Sequence, residues 1–73
     1  MKRYIIKGTR EAMMEMVYHE LIGRESIKII HRIDFMDCDG LEILVNKSIE
    51  NGFRVICHEY GITIAHEFEE EAE

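Results

Sequence analysis

Five glycines, at positions 8, 23, 40, 52 and 61, and the absence of proline cut this 73-residue chain into short apolar segments, each sized for one helix, one strand or a hairpin. Glycine stops such segments because it accepts the positive φ that a helix end or a tight turn demands. A chain of this length supports one core, stabilised by only about 3–5 kcal/mol unless something reinforces it. The sequence therefore reads as a single domain over residues 1–68 and an acidic tail over residues 69–73, whose Glu-rich composition suits a solvated end.

Periodicity assigns the segments. Tyr4, Ile5 and Ile6 are a short strand stopped by Gly8. Thr9 is placed to cap a helix, with Glu11 in the first turn, where a carboxylate meets free amides. Met13, Met14, Val17, Tyr18 and Leu21 recur at helical spacing up to Gly23, which predicts helix one over residues 10–22. Ile27, Ile29, Ile33 and Phe35 alternate with Lys28, Arg32 and Asp34, the pattern of a strand with one buried face, and Ile30 breaks it. Asp39-Gly40-Leu41-Glu42 reads as a capping box for helix two, with Leu41, Leu44, Val45, Ser48 and Ile49 as its inner stripe and Asn51-Gly52 as its end. The stretch FRVICHEYGITIAHEFE reads as a hairpin turning at Tyr60-Gly61, which sets Cys57 opposite Ile64 and Val55 opposite His66. The expected architecture is an α/β (α+β) two-layer sandwich of order βαβαββ, with a four-stranded mixed sheet and two helices on one face.

Such a sandwich leaves one sheet face uncovered. By the alternation above, that face presents Ile30, Arg32, Arg54, Ile56, His58 and Ala65, an apolar centre with a polar rim suited to a contact with another protein or a second copy of the chain. His31 and His66 are expected on the opposite, helix-covered side, near Cys57, as hydrogen-bonded core residues and not as metal ligands. His58-Glu59 and His66-Glu67 lack the one-turn spacing of a helical zinc motif, and Asp34, Asp37 and Asp39 lack the spacing of a calcium loop, so no metal and no cofactor is expected. The segment MKRYIIKG has only three consecutive apolar residues before Lys7, too few for a signal peptide core or a membrane span, and a cytoplasmic protein with reduced thiols is expected.

Charge is unevenly spread. Residues 1–35 carry seven Lys/Arg against five Asp/Glu, and residues 36–73 carry two against ten, for a net charge of −6. That balance argues against direct binding of nucleic acid and suits an acidic surface, made by Asp37, Asp39, Glu42, Glu50, Glu69, Glu70 and Glu71, that stands in for phosphates.

The layout, with GTREAMMEMV opening helix one and ENGFRVICHEYG leading into the hairpin, resembles the TusA/SirA family of small sulfur-transfer proteins, and it also resembles the C-terminal domain of bacterial translation initiation factor three. The first resemblance implies a sulfur carrier. That family's Cys-Pro-x-Pro motif corresponds here to Gly8-Thr9-Arg10-Glu11-Ala12, so no family site residue carries over, and a carrier would have to use Cys38, at the expected start of helix two. No complete catalytic set is present. The function expected is that of a small acidic, non-catalytic interaction module: an inhibitor or adaptor, homodimeric through the open sheet face, or a nucleic-acid mimic that blocks a nucleic-acid-binding protein.

Overall fold

Alternation along the first strand decides which side of the molecule is filled. Lys2, Tyr4 and Ile6 are buried, and Arg3, Ile5 and Lys7 between them are only partly covered. The structure, a computed structural model, describes residues 1–68. In chain order it contains β1 (Lys2–Gly8), α1 (Arg10–Met16) continued by a π-helical turn (Val17–Leu21), β2 (Ile27–Asp34), β3 (Asp39–Val45), a 3-10 turn (Lys47–Ile49) leading into α2 (Glu50–Glu59), and β4 (Thr63–Phe68). Thr9 caps α1 as the sequence predicts, its hydroxyl accepting from the Ala12 amide at 3.1 Å. Gly23 follows the helical segment at φ +85°.

The strands form one sheet in the order β2-β3-β1-β4, and each neighbouring pair is antiparallel. The α+β class stands, and both helices pack on one face. Met13, Met16 and Leu21 from the first helical segment and Phe53 and Cys57 from α2 meet Tyr4, Ile6, Leu41, Ile43 and Val45 in a single apolar cluster. At its centre the rings of Tyr4 and Phe53 lie 5.0 Å apart.

Two finer expectations are corrected. The sheet is wholly antiparallel and not mixed, and the order is βαββαβ, the split βαβ arrangement, instead of βαβαββ. The run expected as helix two is β3, because a four-residue connection returns the chain alongside β2. The Phe35 amide donates to the Cys38 carbonyl at 3.1 Å to close that turn. Asp39 does not cap a helix; its carboxylate lies 3.6 Å from Arg32. Leu41, Ile43 and Val45 then alternate inward, a pattern as compatible with this apolar run as the helical stripe.

The first half of the expected hairpin is α2. Phe53, Ile56, Cys57 and Tyr60 recur at helical spacing on the core, and Asn46 starts the segment by accepting from the Ser48 amide at 2.9 Å. The turn at Gly61, φ +72°, stands where expected and delivers β4.

Ion pairs fasten α2 to the sheet edge. Lys2 Nζ lies 3.1 Å from both Glu50 and Glu67, Arg54 donates to Glu67 through two bonds of 2.8 and 2.9 Å, and the Tyr4 hydroxyl donates to Glu50 at 3.0 Å. Among the described residues no helix is long and apolar enough to cross a membrane.

Candidate functional site: the open sheet face

Strand register fixes which side chains share the uncovered face. Neighbours across a ladder point the same way, so three rows run across the sheet. The first is Phe68, Arg3, Leu44 and Lys28. The second is His66, Ile5, Glu42 and His31. The third is Thr63, Lys7, Gly40 and Ile33. With strands about 4.8 Å apart, the face is ~14 Å wide.

Gly40 leaves a gap in the third row, and the ring of Phe35 fills it, lying over the Gly40 backbone where any β-carbon would collide with it. Lys7 Nζ sits 5.6 Å from the centre of that ring. At the opposite border the Arg3 guanidinium lies 4.3 Å from the centre of the Phe68 ring, and the His66 imidazole is stacked against Phe68 at 5.9 Å and 28°. Each border of the face therefore joins an aromatic ring to a cation.

Glu42 is the one carboxylate in the three rows. It is buried beneath its neighbours, bonded to Arg3 at 2.5 Å and 3.3 Å from His31 Nδ1. Its charge is spent inside the face. That pairing also engages Arg3, and Lys7 and Lys28 give these rows a positive character that the chain as a whole lacks.

The residues expected to form a partner surface do not share a face. Arg54, Ile56 and His58 belong to α2, on the helix layer. Arg32 points to the helix side of β2, bordering a groove of about 380 Å³ beneath Met13, Met14 and Tyr18. Ile30 is an extra residue at a bulge in β2, and Ala65 is the corresponding extra residue in β4, each skipped by the pairing of its strand. The correction follows from the same change of element order: residues 50–59 are helical, so they cannot line the sheet.

Of the acidic residues considered for mimicry, Glu42 and Glu50 are held in ion pairs, Asp39 faces Arg32, and Asp37 is exposed in the β2–β3 turn. Glu69, Glu70 and Glu71 lie outside the described residues.

His31 and His66 are also corrected. Both are exposed on the open face, separated by Glu42 and Ile5, while Cys57 is buried in the core from α2. Among the described residues no group of three His, Cys, Asp or Glu is placed to hold a metal ion. Burial pushes the Cys57 thiol up to about 12. Cys38, half-buried in the β2–β3 turn, is raised by partial burial and then by the Asp37 carboxylate. Neither thiol is prepared as a nucleophile. The signal that could have found the face lies in β1: Arg3, Ile5 and Lys7 alternate with inward residues once the strand is extended to Lys2 and Gly8. Compared with family models, with curated proteins and with solved structures, the chain matches none.

Proposed function

We propose that the protein is a non-catalytic docking module that receives an extended anionic partner on the open face of its sheet. The segregation of charge supports this reading. A chain of net charge −6 collects Arg3, Lys7 and Lys28 on one face, and the only carboxylate in those rows is already engaged by Arg3 and His31. Half-buried Leu44 lies between Arg3 and Lys28 and half-buried Ile5 between Arg3 and Lys7, with Ile33 at the β2 edge of the third row, the composition of a contact surface with an apolar centre.

Two other readings fit less well. A symmetric dimer through this face would set the same cations of two copies against each other, which opposes association. Sulfur relay through Cys38 would need a lowered thiol, and its surroundings raise it.

Equilibrium binding to two polyanions, a polyglutamate peptide and a single-stranded oligonucleotide of matched charge, tests the reading. At least one binds, and the double variant Lys7→Glu/Lys28→Glu binds it at least tenfold more weakly. Raising salt from about 50 to about 200 mM weakens wild-type binding as counterion release requires. Failure of both polyanions to bind saturably, or binding indifferent to the charge reversal, overturns the proposal.

A further inference from the structure

Resting on that docking reading, we infer that the anionic partner is single-stranded nucleic acid, with bases stacked against the Phe68–His66 pair at one border of the face and against Phe35 at the other. A nucleotide presents one flat base and one phosphate. The face presents a ring beside a cation at each border, Phe68 with Arg3 and Phe35 with Lys7, at 4.3 and 5.6 Å. Aromatic side chains on an open sheet are good platforms for unstacked bases, whatever their sequence, because every base has a π face.

An acidic peptide would use the cations but has no matching use for the rings. A peptide that docks side chains into a groove would turn to the helix layer. The groove beneath α1 and a second of about 540 Å³ beside α2, lined by Ile27, Phe53 and Ile56, both open on the helix layer. A duplex would hide the π faces of its bases from the rings.

The separation of the two platforms suits a strand of several nucleotides. Arg3 and Lys7 stand four residues apart on β1, ~13 Å along the strand, and the half-buried side chain of Ile5 lies between them in the second row. Lys28, exposed at the β2 edge, extends the positive track across the first row. The net charge of −6 is an average over the whole chain; among the described residues the carboxylate that shares these three rows is Glu42, and it is bonded to Arg3.

Fluorescence anisotropy decides the matter, with a labelled single strand of about 12 nucleotides, within the usual span of such sites, the same sequence as a duplex, and polyglutamate of equal charge. The single strand binds at least tenfold more tightly than either competitor. Its log affinity falls against log salt with a slope of about −1.4, as two phosphates neutralised by Lys7 and Lys28 give. Phe68→Leu and Phe35→Leu each weaken it at least fivefold while keeping apolar bulk, and Phe68→Tyr stays within twofold. Unchanged thermal midpoints of Phe68→Leu and Phe35→Leu separate a lost ring from a lost fold. Equal binding of all three ligands, with Phe68→Leu and Phe35→Leu unaffected, removes the nucleic acid and leaves the anionic docking face. Preference for polyglutamate assigns an acidic protein partner instead. Binding of none overturns both.

Discussion

A methyl group added at Gly40 measures how firmly Phe35 is held on the open face. Among the described residues positive φ is confined to Gly23 and Gly61, so alanine at Gly40 meets no backbone penalty. Its β-carbon would nevertheless fall 2.8 Å from Cδ2 of Phe35, closer still to Cε2, and 3.0 Å from the Ile6 carbonyl oxygen. The ring must leave its place. Forcing a close-packed side chain aside costs about 1–3 kcal/mol, a large part of the ~3–5 kcal/mol a core of this size supplies. In a Phe35→Ala background the obstacle is gone. Alanine then gains about 0.4–1 kcal/mol by restricting the unfolded chain, offset by the remaining contact with Ile6, and the net effect is within about 0.5 kcal/mol of zero. Urea denaturation of wild type, Gly40→Ala, Phe35→Ala and the double variant gives the coupling directly, and about 1–3 kcal/mol is expected. Additive effects would show that the ring does not rest on Gly40, and the third row of the face would lose its platform.

The ion pairs at the α2 edge set the acid limb of stability. Glu67 is held at about 2, below its ordinary 4.5, by Arg54 and then by Lys2, and Glu50 is lowered by Lys2 and Tyr4. A carboxyl depressed on folding contributes stability that is fully present above its unfolded value and is lost as pH falls toward the folded one. The urea midpoint of wild type therefore drops as pH falls from above 4.5 toward 2, and Glu67→Gln starts lower at neutral pH and drops less; parallel curves would refute this. For the thiols, alkylation of the native protein followed by mass spectrometry modifies Cys38 before Cys57, since Cys57 is buried with its thiol pushed up to about 12. Modification of Cys57 first, without denaturant, would contradict the core described above.

What could be read in advance was governed by how many elements each residue pattern allows. Thr9 with Glu11, and Gly23 after Leu21, bracket a helix in which capping and periodicity agree, and the structure places it within a residue of that reading. The run from Asp39 to Ile49 allows two answers. Leu41, Leu44, Val45 and Ile49 suit a helix; Leu41, Ile43 and Val45 suit a strand, and the choice was settled by the β2–β3 turn, a tertiary partner that local propensity does not contain. Once that segment became a strand, Phe53 to Tyr60 had to supply the second helix, and Arg54, Ile56 and His58 left the sheet.

The face was missed for a related reason. Net charge averages over surfaces, and in this chain the averaging conceals a sorting by strand position. Arg3, Lys7 and Lys28 occupy outward positions, while among the described residues Glu67 lies on the other side of the sheet and Glu42 under the surface. Glu67, on the helix side of β4, is paired with Arg54 and Lys2, and Glu42, though outward by register, is covered and paired with Arg3, so that Lys7 and Lys28 carry the positive character of the three rows. A charge already paired at close range adds little field at a distance, so it is the residual pattern after pairing that an approaching partner meets. That pattern depends on register, and register became defined only when β3 took its place between β2 and β1. The basic, ring-bordered face is thus a product of the same strand assignment that overturned the expected order of elements.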